Sequence, residues 1–148
     1  MDNLIIRECT YEDLDKIISL QQQWEIEDIT HGFVPADKSY LEEKVGKYFY
    51  IAKLNSEIVG FVYGTVHNAE NIGIFNEGEA YVEVDDIYIS QNNRGTGLGN
   101  ILLEKILNTA KENGIERSLI YSSTKDMDSI IRFYKKHEYK TWCIRMYK

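Results

Sequence analysis

The sequence predicts a mixed α/β fold in a single domain spanning residues 1–148, and three observations lead to that prediction. The length of 148 residues is one that a single hydrophobic core can serve. The chain has one proline and no low-complexity tract or repeat, so nothing marks a linker between domains. Segments with strand periodicity alternate with segments with helical periodicity in the order β-α-α-β-β-β-α-β-α-β. That order is typical of a sheet with helices on its faces.

The first half of the chain predicts a strand, two helices and a hairpin. Thr10 and Asp13 resemble a capping box, with Asp in place of the usual Glu, and apolar residues then recur at helical spacing. Asn55-Ser56 joins two segments rich in aromatic and β-branched residues, which indicates a β-hairpin. The expected elements are a strand at 3–7, helices at 10–28 and 39–46, and strands at 48–54 and 57–67.

The second half predicts three more strands and two amphipathic helices. A polar segment with two glycines, 68–79, reads as a loop. The first helix of this half carries one apolar stripe and ends at Gly114, a residue that suits a helix C-terminus. The expected elements are strands at 80–89, 117–122 and 139–147 and helices at 98–114 and 126–137.

Composition narrows the classes of function. A net charge of −7 argues against general nucleic-acid binding, which depends on Lys and Arg. No apolar run reaches the length of a membrane span, and the N-terminus lacks a signal pattern, so we expect no membrane partner. The two cysteines, Cys9 and Cys143, lie far apart and favour a reducing cytoplasm. The three histidines are scattered, so we expect no metal.

The segment from Ile87 to Asn100 carries the most information about function. It is an apolar strand end, a polar turn, three alternating glycines (Gly95, Gly97 and Gly99), and then an amphipathic helix. Glycine lets a ligand approach the main chain, and the helix directs its unpaired N–H groups at the same turn. This arrangement suits a phosphate or pyrophosphate. The P-loop and dinucleotide-binding patterns are both absent, since each needs a different glycine spacing.

These residues match the signature of a known family. Arg94-Gly95-Thr96-Gly97-Leu98-Gly99 resembles the Arg/Gln-x-x-Gly-x-Gly/Ala motif of the GCN5-related N-acetyltransferase (GNAT) superfamily. Residues 50–61 resemble that family's β2–β3 hairpin, 85–89 its fourth strand, and 132–136 the helix that carries its tyrosine. Met127 replaces the Asn that relatives often carry seven residues before that tyrosine. The resemblance covers nearly the whole chain and implies a mixed, mostly antiparallel central sheet with helices on both faces.

The resemblance also implies which residues hold acetyl-CoA, the expected co-substrate. Main-chain groups of the fourth strand would bind the pantetheine arm, and loop amides would bind the pyrophosphate, with the helix dipole adding to the attraction. Arg94 could add a charge-assisted contact, and Thr96 and Asn100 a side-chain hydrogen bond. The expected cofactor-binding residues are Ile87, Tyr88, Ile89, Arg94, Gly95, Thr96, Gly97, Leu98, Gly99 and Asn100.

Three side chains are candidates for proton transfer. The resemblance gives Tyr134 the role of general acid toward the departing CoA thiolate; its alternative is a core tyrosine. Relatives often place a carboxylate at the position of Asp85 or Glu83, and we expect one of these two to be the base, Asp85 before Glu83. Strand alternation places both on one face and Asp86 on the other. The alternative is that these acids hold a cationic substrate.

The acceptor is expected to be a primary amine of a small molecule or peptide, acetylated by direct attack in a ternary complex. In relatives the first two helices build its pocket, which gives Trp24, Asp28 and Phe33 as candidate substrate-binding residues. Family habits also allow a homodimer. Two alternatives stay open: a non-catalytic acyl-CoA-binding sensor or regulatory module, and an acyltransferase for a longer chain.

Overall fold

The sheet has five strands in the order β1-β2-β3-β4-β5, with helices on both faces, in a computed structural model that describes residues 3–148. This confirms the predicted fold class. No helix within that range is long and apolar enough to cross a membrane. The strands are β1 (Leu4–Glu8), β2 (Phe49–Leu54), β3 (Glu57–Asn68), β4 (Ala80–Ile89) and β5 (Arg117–Ile120), and the helices are α1 (Leu14–Glu27), α2 (Lys38–Lys44), α3 (Leu98–Glu112) and α4 (Met127–Lys135).

Neighbouring strands run antiparallel with one exception. β1, β2, β3 and β4 form consecutive antiparallel pairs, whereas β4 and β5 are parallel. A parallel neighbour needs a crossover connection, and α3 supplies it between β4 and β5. The sheet is therefore mixed and mostly antiparallel.

Each face of the sheet buries one apolar cluster. On one face, residues of α1 and α2 such as Leu14, Ile17 and Leu41 pack against Phe49 and Phe61 of the strands. On the other face, the stripe of α3 packs against β3 and β4, with Phe133 and Tyr134 of α4 at its margin. Burial of these side chains supplies the main stabilising free energy of the fold. The buried apolar residues of α3 are Leu98, Leu102, Leu103, Ile106 and Ala110.

The start of α1 is fixed by an ion pair as well as by the predicted capping box. The N–H of Thr10 donates to Asp13 Oδ2 over 2.8 Å. Arg7 of β1 binds the same carboxylate with two N–H groups, at 2.7 and 2.9 Å. These bonds, first of all the one from Arg7, lower the pKa of Asp13 to about 2 although burial opposes them. Asp13 thus joins the first strand to the first helix.

The β2–β3 hairpin forms where the sequence predicts it. Asn55 and Ser56 both have positive φ, 48° and 71°. Two successive positive values are the requirement of a type I′ turn, whose twist matches that of the flanking strands.

A β-bulge in β4 changes which face its acids occupy. Tyr63 of β3 pairs with Asp86, while Gly64 pairs with Val84, so Asp85 is an extra residue between them. One extra residue reverses the alternation of side chains beyond it. Asp86 therefore lies on the same face as Asp85, contacting Tyr63 and Gln21 of α1. The prediction that Asp85 and Asp86 face opposite sides is wrong.

The prediction of a final strand at 139–147 is also wrong, since residues 139–148 form no strand. A strand needs a partner edge, and β5 is only four residues long. Tyr139 contacts β5 through its side chain, with 2.5 Å between its hydroxyl and that of Ser118. Farther on, Trp142 and Ile144 stay exposed, so no sheet face covers the segment.

Candidate active site

Beyond Val84, β4 has an open edge. β5 ends at Ile120, opposite Val84, whereas β4 continues for five more residues to Ile89. The N–H of Ser90 donates to the carbonyl of Val59 over 2.8 Å, so Ser90 faces β3. Because antiparallel strands alternate, the main-chain groups of Ile87 and Ile89 point away from β3, toward the gap left by β5. Those of Tyr88 point toward β3, so Tyr88 does not offer its main chain to the gap.

The glycine loop lies directly beyond this open edge. Gly95 and Gly97 have φ values of 71° and 88°, and a Cβ at either position would meet no atom within 4 Å. The first bond of α3 runs from the N–H of Ile101 to the carbonyl of Gly97. The N–H groups of Leu98, Gly99 and Asn100 precede that bond and have no carbonyl one turn earlier in the helix. Free N–H groups at the positive end of a helix, beside open space, suit an anion.

The polar side chains of this loop bind the protein itself. Arg94 Nη2 lies 2.6 Å from Glu27 Oε2, and the Thr96 hydroxyl donates to the carbonyl of Asn93 over 2.6 Å. Asn100 Oδ1 lies 2.9 Å from His137 Nε2. The phosphate contacts predicted for these three side chains are therefore not preformed. The main-chain N–H groups of Leu98, Gly99 and Asn100 remain available as donors to an anion.

Both acids predicted as bases carry a cationic or basic partner. Asp85 accepts a hydrogen bond from the Thr65 hydroxyl over 2.6 Å and lies 3.5 Å from Lys44 Nζ. Glu83 Oε2 lies 3.1 Å from His67 Nε2. Both carboxylates are therefore already engaged by neighbouring side chains.

Asp86 has a different environment on the same face. Its Oδ2 accepts a hydrogen bond from the Tyr63 hydroxyl over 2.5 Å, and Gln21 Nε2 lies at 3.5 Å. Burial, the largest cause, raises the pKa of Asp86 to about 6, with Asp85 adding to the rise and Tyr63 opposing it. A carboxylate with such a pKa is ionised at neutral pH and accepts a proton more readily than an ordinary aspartate.

Tyr134 lies on the α3 and α4 side of the sheet. Its ring packs between Phe133 and Tyr139, with centroids 5.1 and 5.6 Å away. Burial raises the pKa of Tyr134 above its usual range, and the charges of Tyr139 and Asp86 add to the effect. The phenol therefore keeps its proton at neutral pH, as a donor must.

The candidate acceptor residues divide into two groups. Trp24 stacks on Phe33 at 4.1 Å and on Tyr88 at 5.2 Å between ring centroids, which forms an aromatic stack on the α1 face. Asp28 instead lies in solvent, 2.8 Å from Lys125 Nζ. The structure thus brings Trp24 and Phe33 together and leaves Asp28 outside the stack.

The sequence contains one indication of the side of the sheet on which Asp86 lies. The β-branched residues of β4 that are buried or half-buried are Val82, Val84, Ile87 and Ile89. Their spacing of two slips by one residue between Val84 and Ile87, as a bulge requires. Counting back from Ile87 would have placed Asp86 on the α1 face. No pattern in the sequence indicates that Gln21 and Tyr63 contact Asp86.

An open strand edge beside a helix N-terminus with free N–H groups is the arrangement expected of an acyl-CoA-binding acetyltransferase domain. The chain belongs to the acetyltransferase (GNAT) family, whose model matches residues 11–139. The match excludes only the two ends of the chain.

Individual relatives agree with this placement. "Putative acetyltransferase YjbC" of Bacillus subtilis (strain 168) is 26% identical over 106 residues, which are 66% of this chain and 55% of that protein. The structure of a "predicted acetyltransferase with acetyl-CoA" from Clostridium acetobutylicum has a TM-score of 0.74 at 18% identity, covering 98% of this chain and 95% of that one. An aminoglycoside acetyltransferase, meta-AAC0020, from an uncultured soil metagenomic sample has a TM-score of 0.73 at 22% identity, covering 99% and 97%. At these identities the solved structures show the shared fold.

Proposed function

We propose that this protein transfers an acetyl group from acetyl-CoA to a primary amine by direct attack within a ternary complex. The observation that carries the proposal is the meeting of the open β4 edge with the free N–H groups of the glycine loop. Together they offer hydrogen-bonding groups to an extended amide-containing arm and to a diphosphate, which are two of the parts of coenzyme A. The shared fold with a relative solved with acetyl-CoA supports the same co-substrate.

The glycine loop and β4 would bind different parts of acetyl-CoA. The N–H groups from Gly95 to Asn100 would receive the pyrophosphate, and the space beside Gly95 and Gly97 admits it because neither residue has a side chain there. Ile87 and the N–H of Ile89 would pair with the pantetheine amides like an added strand, since the carbonyl of Ile89 already accepts from Arg94. An N–H on the same edge would also stabilise the charge that develops on the thioester oxygen during attack.

Asp86 is the general base in this proposal, in place of Asp85 or Glu83. An alkylammonium has a pKa near 10.4 and must lose a proton before its nitrogen can attack. Asp86 follows the bulge at the point where β4 leaves β5 and binds no Lys or Arg, whereas Asp85 is paired with Lys44. The proton would pass to Asp86 directly or through one water, while Asp85 and Glu83 supply negative charge near the cationic acceptor.

Tyr134 is the proposed proton donor to the leaving thiolate. Its pKa is raised by burial, so full proton transfer to a thiolate is less favourable than from an ordinary phenol. A hydrogen bond from the phenol would still stabilise the thiolate as the carbon–sulfur bond breaks. The thiol then takes its final proton from Tyr134 or from solvent.

The acceptor is proposed to be a cationic amine with an apolar or ring-shaped body. Trp24 and Phe33 form an aromatic surface, and Asp85 and Asp86 lie on the same face of the sheet. Aromatic faces and carboxylates together attract an ammonium group. One structural relative is described as an aminoglycoside acetyltransferase, which is consistent with such a chemistry. The cytoplasmic location and the homodimer stay predictions.

Amine-dependent release of CoA thiol from acetyl-CoA tests the proposal. Purified protein would be assayed with a panel of polyamines, aminoglycosides, amino acids and peptide amines. Thiol release that rises with at least one amine, together with a mass increase on that amine, is the expected result. Tight binding of acetyl-CoA without turnover across the panel would contradict catalysis and favour the sensor alternative. Faster turnover of longer acyl-CoA would favour the second alternative.

A further inference from the structure

Arg94, the first residue of the glycine motif, has a side chain held by three contacts on the α1 side of the loop. Its Nη2 lies 2.6 Å from Glu27 Oε2, and its Nε donates to the carbonyl of Ile89 over 2.9 Å. The guanidinium also lies over the ring of Tyr88, with its carbon 5.3 Å from the ring centroid. The guanidinium of Arg94 thus makes two hydrogen bonds through its nitrogens and a cation–π contact through its face.

These contacts join three elements at the entrance to the loop. Glu27 is the last residue of α1, Ile89 is the last residue of β4, and Arg94 lies four residues before α3. The Glu27 side chain is 13% exposed and that of Arg94 37%, so the pair is partly shielded from solvent. Charge-assisted hydrogen bonds of this kind are stronger than neutral ones.

The same contacts lead to the proposed acceptor side. Tyr88 has Arg94 on one flank and Trp24 at 5.2 Å, and Trp24 in turn stacks on Phe33. Trp24 and Glu27 are three residues apart on α1. Displacing Arg94 would therefore disturb both the glycine loop and the packing of α1 beside the acceptor.

We infer that Arg94 is a positioning residue that fixes the glycine loop through Glu27 and the carbonyl of Ile89, and is not a phosphate ligand. The inference rests on the proposed function, because it concerns the affinity of the loop for the diphosphate of CoA. A loop held in its binding shape loses less conformational entropy when the ligand arrives. The tether acts on the main-chain N–H groups that make the contact.

The alternative is that Arg94 leaves Glu27 and binds the diphosphate directly, and the two roles predict opposite effects of one variant. If Arg94 is a phosphate ligand, Glu27→Gln frees it and removes a negative charge nearby, so CoA binds more tightly. If Arg94 is a positioning residue, Glu27→Gln releases the loop, and CoA binds more weakly. Arg94→Lys separates the roles as well, since lysine keeps the charge but loses the planar fork.

Titration calorimetry with CoA tests the inference on the wild type, Glu27→Gln, Arg94→Gln, Arg94→Lys and the double variant Glu27→Gln/Arg94→Gln. Each single variant should bind CoA roughly tenfold more weakly, and the double variant should bind it no more weakly than Arg94→Gln alone, because Arg94→Gln already breaks the contact with Glu27. Glu25→Gln, an exposed charge removal two residues away on α1, should match the wild type within about twofold. Thermal unfolding of every variant checks that the fold is intact.

The outcomes separate the inference from the proposed function. Unchanged or tighter CoA binding by Glu27→Gln, or losses that multiply in the double variant, would overturn the inference alone. Wild-type affinity in Arg94→Lys would do the same. Absence of any binding by the wild-type protein would overturn the proposed function and this inference with it.

Discussion

Asp13 and Asp86 are both largely buried aspartates, yet the protein shifts their pKa values in opposite directions. At the start of α1, Arg7 holds the pKa of Asp13 near 2. On β4, burial with only neutral hydrogen-bond donors raises the pKa of Asp86 to about 6. A paired carboxylate stabilises the fold, whereas one kept without a cation costs stability and gains reactivity. The difference between them separates a structural acid from a candidate catalytic one.

The largest expected effect is on turnover by Asp86→Asn. Asparagine keeps the size and can accept the Tyr63 hydrogen bond, but it cannot take a proton, so kcat/KM should fall by about 10²- to 10³-fold. The wild-type rate should rise with pH through about 6 as Asp86 ionises, and this rise should be absent from the variant. Asp13→Asn should keep the wild-type profile. A variant with normal turnover would remove Asp86 as the base.

The next effect is a loss of stability in Asp13→Asn. The pKa of Asp13 is lower in the folded protein, so its contribution is fully present above about pH 4 and is lost as pH falls toward 2. The fall of the Asp13 pKa from 3.8 to about 2 corresponds to about 2.5 kcal/mol of stability at pH 7. Denaturant unfolding should show that loss at pH 7 and a smaller loss at pH 3. An equal loss at both pH values would contradict an electrostatic origin.

Asp86→Asn should have the opposite effect on stability. The pKa of Asp86 is higher in the folded protein than in the unfolded chain. The wild-type protein therefore loses stability as the pH rises from about 4 to about 6, and this stability does not return at higher pH. The neutral variant avoids this loss and should be more stable at pH 7 by up to about 3 kcal/mol. Unfolding at pH 7 and at pH 4 measures it, and the gain should shrink at pH 4. A lower stability of Asp86→Asn than of the wild type at pH 7 would contradict the proposed difference between Asp86 and Asp13.

The smallest effect is expected for the two acids that the sequence favoured as bases. Asp85→Asn and Glu83→Gln remove carboxylates that are paired with Lys44 and His67, so neither change removes the proposed proton acceptor. Activity should stay within about fivefold of the wild type, mostly through a higher KM for a cationic amine. A loss of kcat in Asp85→Asn as large as that in Asp86→Asn would return the role of base to Asp85.

The parts of this protein that were predictable from sequence are those set by neighbours along the chain. The apolar stripe of α3, the hairpin at Asn55-Ser56 and the capping box at Thr10 each depend on local spacing, and each is present. The bounds of β4 match the prediction, 80–89, because the segment is rich in β-branched and aromatic residues.

The errors concern contacts between residues far apart in sequence. The bulge at Asp85 depends on pairing with β3, and it reversed the face assigned to Asp86. The partner of Arg94 is Glu27, 67 residues away, which no local pattern indicates. The prediction of a final strand is wrong for the same reason. A strand at 139–147 needs a partner strand, and β5 is too short to pair with it.

Binding of CoA to a matched pair of glycine variants tests the central claim most directly. Gly97 and Gly114 both have positive φ, 88° and 78°, and a Cβ at either meets no atom within 4 Å, so Gly→Ala should strain both equally. Gly97 directly precedes α3 at the proposed pyrophosphate site, whereas Gly114 follows the other end of that helix. Calorimetry should show CoA binding to the wild type and to Gly114→Ala, and binding at least roughly tenfold weaker to Gly97→Ala. Equal affinities in the two variants, or no heat with the wild type, would contradict a diphosphate site at the glycine loop.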